Sequence, residues 1–158
     1  MVKHVLAAMS PCVDQVMLSC NRNLETYRAL GHRVVTDDVP GIGPLEGIRC
    51  ALTYCESDWL LCAPGDSPRV TSEVFERLLL KGSGQGDRLA AVAFDGQRQQ
   101  NLFSLMHRSV LSVLESELAK GHRSVYQFLD RCGAEQVDCA DLAPGFVNIN
   151  QPSDWDGL

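Results

Sequence analysis

Asp66 follows a charge-free apolar run, Trp59-Leu60-Leu61-Cys62-Ala63, with only Pro64-Gly65 between them. A lone carboxylate in that place suits Mg²⁺ held against nucleotide phosphates. Mg²⁺ takes one or two carboxylates and fills its shell with phosphate oxygens and water. The sequence Asp66-Ser67-Pro68 fits a helix N-cap or a turn equally well, and both readings stand at this stage. Polar groups also end three other apolar stretches: Ser19 to Arg22, Asp37-Asp38, and Asn148 with Asn150. Taken singly, these are a solvated turn or a strand end. Collected at one edge, they make a ligand site. Gly43-Pro44-Leu45-Glu46-Gly47 reads as a loop entering a helix. Pro44 suits the first helical turn, where unpaired N–H groups can also hold an anion.

Other reactive residue types form no pattern. Ser10 and Ser67 lack a nucleophile elbow, and His4, His32 and His107 sit beside turns or on a helix surface. The seven cysteines include no CxxC pair and none at zinc spacing from a histidine. Several lie inside apolar runs, where Cys acts as a small hydrophobe, and the reading is a reducing cytosol.

The elements that must position these groups alternate. Helices are expected over Met1–Ser10, stopped by Pro11, and over Leu24–Leu30, capped by Asn23 and ended by Gly31. Others are expected from the glycine-rich loop to Cys55, from Thr71 or Ser72 to Leu80, from Ser109 to Lys120, and from Ser124 to Arg131. Strands are expected over Val13–Cys20, Arg33–Thr36, Trp59–Ala63 and Leu89–Phe94, with Leu102–Met106 as a hairpin return and Ala134–Cys139 last. Lys81–Asp87 reads as a flexible loop. In Phe146–Asn150 the alternation sets Phe146, Asn148 and Asn150 against Val147 and Ile149, and the tail beyond reads as fraying. The sum is an α/β layered fold with a mostly parallel sheet and at least one antiparallel strand. Ligands of such sheets sit beyond the strands' carboxyl ends, where Asp66 stands.

The chain of 158 residues reads as one domain, and its net charge of −6 with no basic stripe argues against general nucleic-acid binding. No run is long and apolar enough for a membrane span, and no signal peptide is evident. The expectation is a cytoplasmic protein that binds neither membrane nor nucleic acid.

Asn21-Arg22-Asn23, Asp37-Asp38, Gly43-Pro44-Leu45-Glu46-Gly47, Pro64-Gly65-Asp66-Ser67-Pro68 and Phe146-Val147-Asn148-Ile149-Asn150-Gln151-Pro152 share the order and rough spacing of one family. In these motifs the chain resembles the molybdenum cofactor guanylyltransferases, from Val2 to about Asp154. The resemblance implies a Rossmann-like nucleotidyltransferase fold, three-layer α/β/α around a mostly parallel mixed sheet. It implies transfer of GMP from GTP to molybdopterin, with Mg²⁺ and release of pyrophosphate, and dealings with other cofactor-biosynthesis proteins. By position, Asp66 resembles the metal ligand and catalytic carboxylate. Ser19, Asp37, Gly43, Pro44, Leu45 and Asp66 resemble the nucleotide-binding set, and Arg123, Asn148 and Asn150 the molybdopterin side.

The chain departs from the family pattern at three places. Ser19 stands where the family often has Asn. Gln100 is not followed by Pro. The family's opening strand and glycine-rich loop, with its Arg and Lys, have no counterpart here, so the resemblance implies a first strand missing and a gap beside its neighbours. On this reading Met1 is an internal residue of a longer protein, or the chain is a short form without activity. Two other functions stay beside the first: a non-catalytic protein binding molybdopterin or a pathway partner, and a cytidylyl- or sugar-nucleotide transferase.

Overall fold

A computed structural model describes residues 1–82 and 88–149. In chain order the elements are α1 (Val2–Met9), β1 (Met17–Ser19), α2 (Leu24–Arg28), β2 (Arg33–Val35), α3 (Pro44–Tyr54), β3 (Trp59–Cys62) and α4 (Ser72–Gly82). They continue as β4 (Ala90–Phe94), β5 (Gln99–His107), α5 (Leu111–Ala119), α6 (Val125–Arg131) and β6 (Glu135–Asp138).

The strands form two sheets. β1 and β2 pair in parallel, and the other four run in the order β3-β5-β4-β6. In the larger sheet β5 is antiparallel to both β3 and β4, while β4 and β6 are parallel. The long strand β5 is thus the single reversal, and β3, β4 and β6 share one direction.

Side-chain alternation buries this sheet on both faces. Leu61 of β3, Ala91 and Ala93 of β4, and Phe103 and Leu105 of β5 face α1 and α4, whose Val5, Val74, Phe75 and Leu78 pack onto them. Leu60, Ala90, Val92 and Met106 face α3, α5 and α6 through Leu45, Ile48, Leu114, Phe128 and Leu129. The result is the three-layer α/β/α architecture. Strand β4 is mostly alanine, a poor strand former, but its central place overrides propensity. Its small side chains let α4 close in, to the point where a Cβ on Gly82 would stand 2.3 Å from Leu105 Cδ2.

Several local expectations are corrected. The first helix ends at Met9 and tightens into a 3₁₀ turn, Ser10–Cys12, that includes Pro11. Strand β1 is far shorter than Val13–Cys20, and β5 starts earlier than Leu102. Asn23 precedes α2 in a left-handed conformation (φ 53°) and its side chain makes no capping bond. His107, not Ser109, caps the turn into α5, its ring accepting from the Ser109 N–H. Phe146 closes a 3₁₀ segment, Ala140–Phe146, rather than entering a strand. Phe146 and Ile149 are buried while Val147 and Asn148 are exposed, so the expected alternation is absent. Lys81 and Gly82 complete α4. The rest of the expected loop, and the tail from Asn150, lie outside the described residues. No helix among the described residues is long and apolar enough to cross a membrane.

Candidate functional site

β3 runs into Ala63-Pro64-Gly65 and delivers Asp66 to the wall of a large cleft of ≈1210 Å³. Val2 at the start of α1 lies over this turn, with its Cγ2 3.6 Å from where a Gly65 Cβ would be. Asp66 is anchored through its main chain, where its carbonyl accepts the Ile149 N–H at 2.7 Å. Its side-chain Oδ1 is buried and makes no hydrogen bond. Asp66 does not cap α4, which begins only at Ser72, but it does lie in a turn, as the alternative reading also has it. A buried carboxylate oxygen without a partner is costly unless a cation completes it, and the chemistry of one such oxygen at a cleft wall fits a hard divalent ion.

Next to Asp66, the buried Ser67 hydroxyl donates to Asn148 Oδ1 at 2.7 Å. This bond and the Ile149 amide hold the 146–149 segment against the Asp66 turn. Asn150 lies outside the described residues.

The opposite wall comes from β1 and β2. Parallel pairing sets Ser19 beside Val35, so Asn21 and Asp37, each two residues on, meet beyond the strand ends. The Asn21 amide donates to Asp37 Oδ2 at 2.7 Å and accepts the Asp37 N–H at 2.9 Å. This two-point clamp fixes the carboxylate. Gly47 of α3 makes the close approach possible, because a Cβ there would stand 2.7 Å from Ser19 Oγ and 3.6 Å from Asp37 Oδ1. Gly43 (φ 98°) takes a backbone shape that side chains resist, and Pro44 then opens α3.

Ser19, Asp37, Gly43, Pro44 and Asp66 therefore border one cleft. Leu45 does not, since the whole residue is buried and its side chain packs against the sheet. Arg123 lies apart from this lining, and its guanidinium is bonded to the carbonyls of Leu118 and His122 at 2.9 and 3.0 Å. Among the described lining residues there is no Lys or Arg, while Asp14, Glu56 and Asp58 join Asp37 and Asp66. Burial pushes the Cys62 thiol up to about 12, so it serves as a neutral wall rather than a nucleophile.

The cleft borders nearly every residue from Cys12 to Asn21 and from Cys55 to Asp66. A strand that turns one face to a cavity presents alternate residues. Consecutive ones mean that the cleft runs along the edges of β1 and β3, between the two sheets.

Two contributions escape a reading by residue type. Asn21 lies in the polar stretch Ser19 to Arg22, but its pairing with Asp37 is visible only in the structure. Ser67 had no signal beyond its place next to Asp66.

Residues 1–137 match the family model described as the MobA-like NTP transferase domain. The molybdenum cofactor guanylyltransferase of Vibrio campbellii is 35% identical over 157 residues, covering 98% of this chain and 78% of that protein. Its counterpart in Vibrio cholerae is 33% identical over 155 residues, covering 98% and 75%. Among solved structures, molybdopterin-guanine dinucleotide biosynthesis protein A from Archaeoglobus fulgidus aligns with a TM-score of 0.76 at 25% identity, over 99% of this chain and 82% of that one. The 2-C-methyl-D-erythritol 4-phosphate cytidylyltransferase of Thermus thermophilus shares the fold, with a TM-score of 0.73 at 14% identity over 97% and 84%. With a match over most of its length and a cleft built at the strand ends, the chain belongs to the MobA-like NTP transferases, a family of nucleotidyltransferases.

Proposed function

We propose that the chain serves in molybdenum cofactor biosynthesis as a guanylyltransferase, moving GMP from GTP onto the phosphate of molybdenum-bound molybdopterin. A molybdopterin phosphate oxygen attacks the α-phosphorus of GTP. The new P–O–P link forms as the bond to the β-phosphate's bridging oxygen breaks, and pyrophosphate leaves. The observation that carries this reading is the buried, unpartnered Asp66 Oδ1 at the wall of the cleft. The guanylyltransferases that resemble the chain supply the substrates.

Asp66 is the residue to hold Mg²⁺, which when bound neutralises charge on the phosphates. Asp37, held by Asn21, and Ser19 take the nucleoside end, with the main chain of Gly43 and Pro44 beside them. Asn148 and Asn150 belong to the molybdopterin side. Arg123, turned to helix carbonyls, must change partners to join them. A triphosphate entering a lining this acidic needs its charge offset, so binding should depend strongly on the divalent ion.

The second reading, binding without catalysis, has one observation in its favour: no Lys or Arg side chain among the described lining residues. One experiment separates the two. GTP binding by calorimetry with and without Mg²⁺ is paired with pyrophosphate release in the presence of molybdopterin, for the chain and for Asp66→Ala. The expected result is Mg²⁺-dependent GTP binding that Asp66→Ala abolishes at an unchanged melting temperature. Retention of binding and turnover in Asp66→Ala would sink the site. Pterin binding with no pyrophosphate release would favour the second reading. CTP in parallel tests the base preference.

A further inference from the structure

The loop from β2 to α3 carries Asp37, Gly41 and Gly43 to the nucleotide side of the cleft. From behind, a buried ion pair holds it. Glu46 lies in the first turn of α3 and is 2% exposed. Its Oε1 accepts the Val39 N–H at 3.3 Å and Arg49 Nη2 at 2.8 Å, while its Oε2 accepts Arg49 Nε at 3.1 Å. Arg49 Nη2 reaches on to Asp38 Oδ2 at 2.5 Å. The two residues that follow Asp37 are thereby tied to the helix whose start lines the cleft.

Stability alone is a weak account of such a pair. A buried ion pair gains little over apolar residues that fill the same space, whereas it fixes geometry in a way apolar packing does not. Carboxylate and thiol donors of Asp38, Glu46 and Cys50 lie within 4.8 Å of one another, the spacing of a cation site. The Arg49 guanidinium already supplies the positive charge to two of them.

We infer that Glu46 and Arg49 are positioning residues, a latch that holds Asp38 and Val39 on α3. By that hold they set Asp37 and the 41–43 backbone for the nucleoside end of the substrate. The inference rests on the nucleotide reading of the cleft. Neither residue touches substrate. Glu46 is fixed in the helix, Arg49 bridges, and the loop is the part that moves when the bridge is cut.

The test compares Glu46→Ala, Arg49→Ala, the double variant Glu46→Ala/Arg49→Ala, and Asp38→Asn. Melting temperature, amide hydrogen exchange of residues 37–43, and the Kd for GTP with Mg²⁺ are read for each. Arg49→Ala strands the buried Glu46 carboxylate and lowers the melting temperature most, Glu46→Ala leaves a part-exposed Arg49 still paired with Asp38 and lowers it less, and the double variant recovers part of the Arg49→Ala loss. A latch predicts that the double variant still exchanges through 37–43 about tenfold faster than the parent and binds GTP about tenfold more weakly. Asp38→Asn removes only the exposed arm. It should speed exchange in the loop with the melting temperature unmoved, which keeps the test intact if the alanine variants fail to fold. Parent-like exchange through 37–43 in Asp38→Asn and in a refolded double variant overturns the latch. If the loop loosens as expected while the parent binds no GTP, the nucleotide reading falls and the latch stands.

Discussion

The two sheets are unequal partners. In the four-stranded sheet every residue from Ala90 to Ala93 is fully buried, and helices cover both faces. In the two-stranded sheet each strand has three residues, and only Leu18 and Val35 are buried. The cleft lies where the strong half stops. It takes Asp66 from the end of β3, and Ser19, Asn21 and Asp37 from the weak half. Under the proposed function, the carboxylate offered to the metal sits on the wall built by the well-buried sheet, and the residues offered to the nucleoside sit on a wall that depends on clamps and latches. Phosphate chemistry needs a fixed charge, whereas a base contact can adjust.

The comparison breaks first on stability. Phe103 is 1% exposed, with its ring 4.9 Å from Phe146 and 6.4 Å from Phe75, centroid to centroid. Phe103→Ala should cost about 3–5 kcal/mol, at the top of the range for core truncations. Leu18→Ala, in the weak half, should cost about 2 kcal/mol or less, because its surroundings can close over the space. Denaturant melts give both values, and equal losses would mean that the two sheets form one core.

Hydrogen exchange sharpens the same point without mutation. Amides of β4 and β5, paired on both edges, should exchange only through global unfolding. Those of β1 and β2 should exchange at least about tenfold faster, through local opening. Uniform protection across the six strands would contradict the division.

How far the sequence led also follows this line. Where a strand is covered on both faces, as in Trp59–Cys62 and Ala90–Phe94, the short uninterrupted apolar run alone found it. Where tertiary pairing decides, pattern misled. Val13–Cys20 is apolar enough for a long strand, yet only Met17–Ser19 has a partner in the described chain. Phe146–Asn150 alternates in type, but Phe146 closes a 3₁₀ segment and Asn148 and Ile149 are held by Ser67 and Asp66. The place of Asp66 beyond the end of β3 was legible from the apolar run before it. The Asn21–Asp37 clamp and the Glu46–Arg49 latch were not, because each joins residues through geometry that spacing does not encode.

Acid should reach the strong half through carboxyls that folding holds low, Asp95, Asp141 and Glu117, of which Glu117 is buried. Glu117 on α5 is 3% exposed. Its hydrogen bond with His122 is the main cause that holds its carboxyl below the ordinary 4.5, against the opposing effect of burial, with Lys120 and Arg131 adding. A carboxyl depressed on folding contributes stability above its unfolded value and loses it as pH falls through the folded one. The parent should therefore lose stability on acidification below pH 4.5. Glu117→Gln should start less stable at neutral pH and show a flatter acid limb in melts from pH 7 to pH 3, measured over the usual carboxylate range. Parallel slopes would remove Glu117 from the account.

The smallest effect is the most diagnostic, because its two readouts should move in opposite directions. Gly47 lies inside α3, where glycine is about 1 kcal/mol worse than alanine. Gly47→Ala would bring a Cβ to 2.7 Å from Ser19 Oγ. Ser19 is exposed and turns about one bond, so its hydroxyl can swing aside at small cost. The fold should then keep its melting temperature or gain up to about 1 kcal/mol. The displaced hydroxyl no longer stands beside the clamped Asp37, and the new methyl narrows the end of the cleft proposed for the nucleoside. Affinity for GTP with Mg²⁺ should fall by about tenfold, the scale of one lost polar contact. Paired melting and calorimetry read both quantities on one sample. A lower melting temperature with GTP affinity intact would mean that the weak half bears load at this position instead of shaping the site.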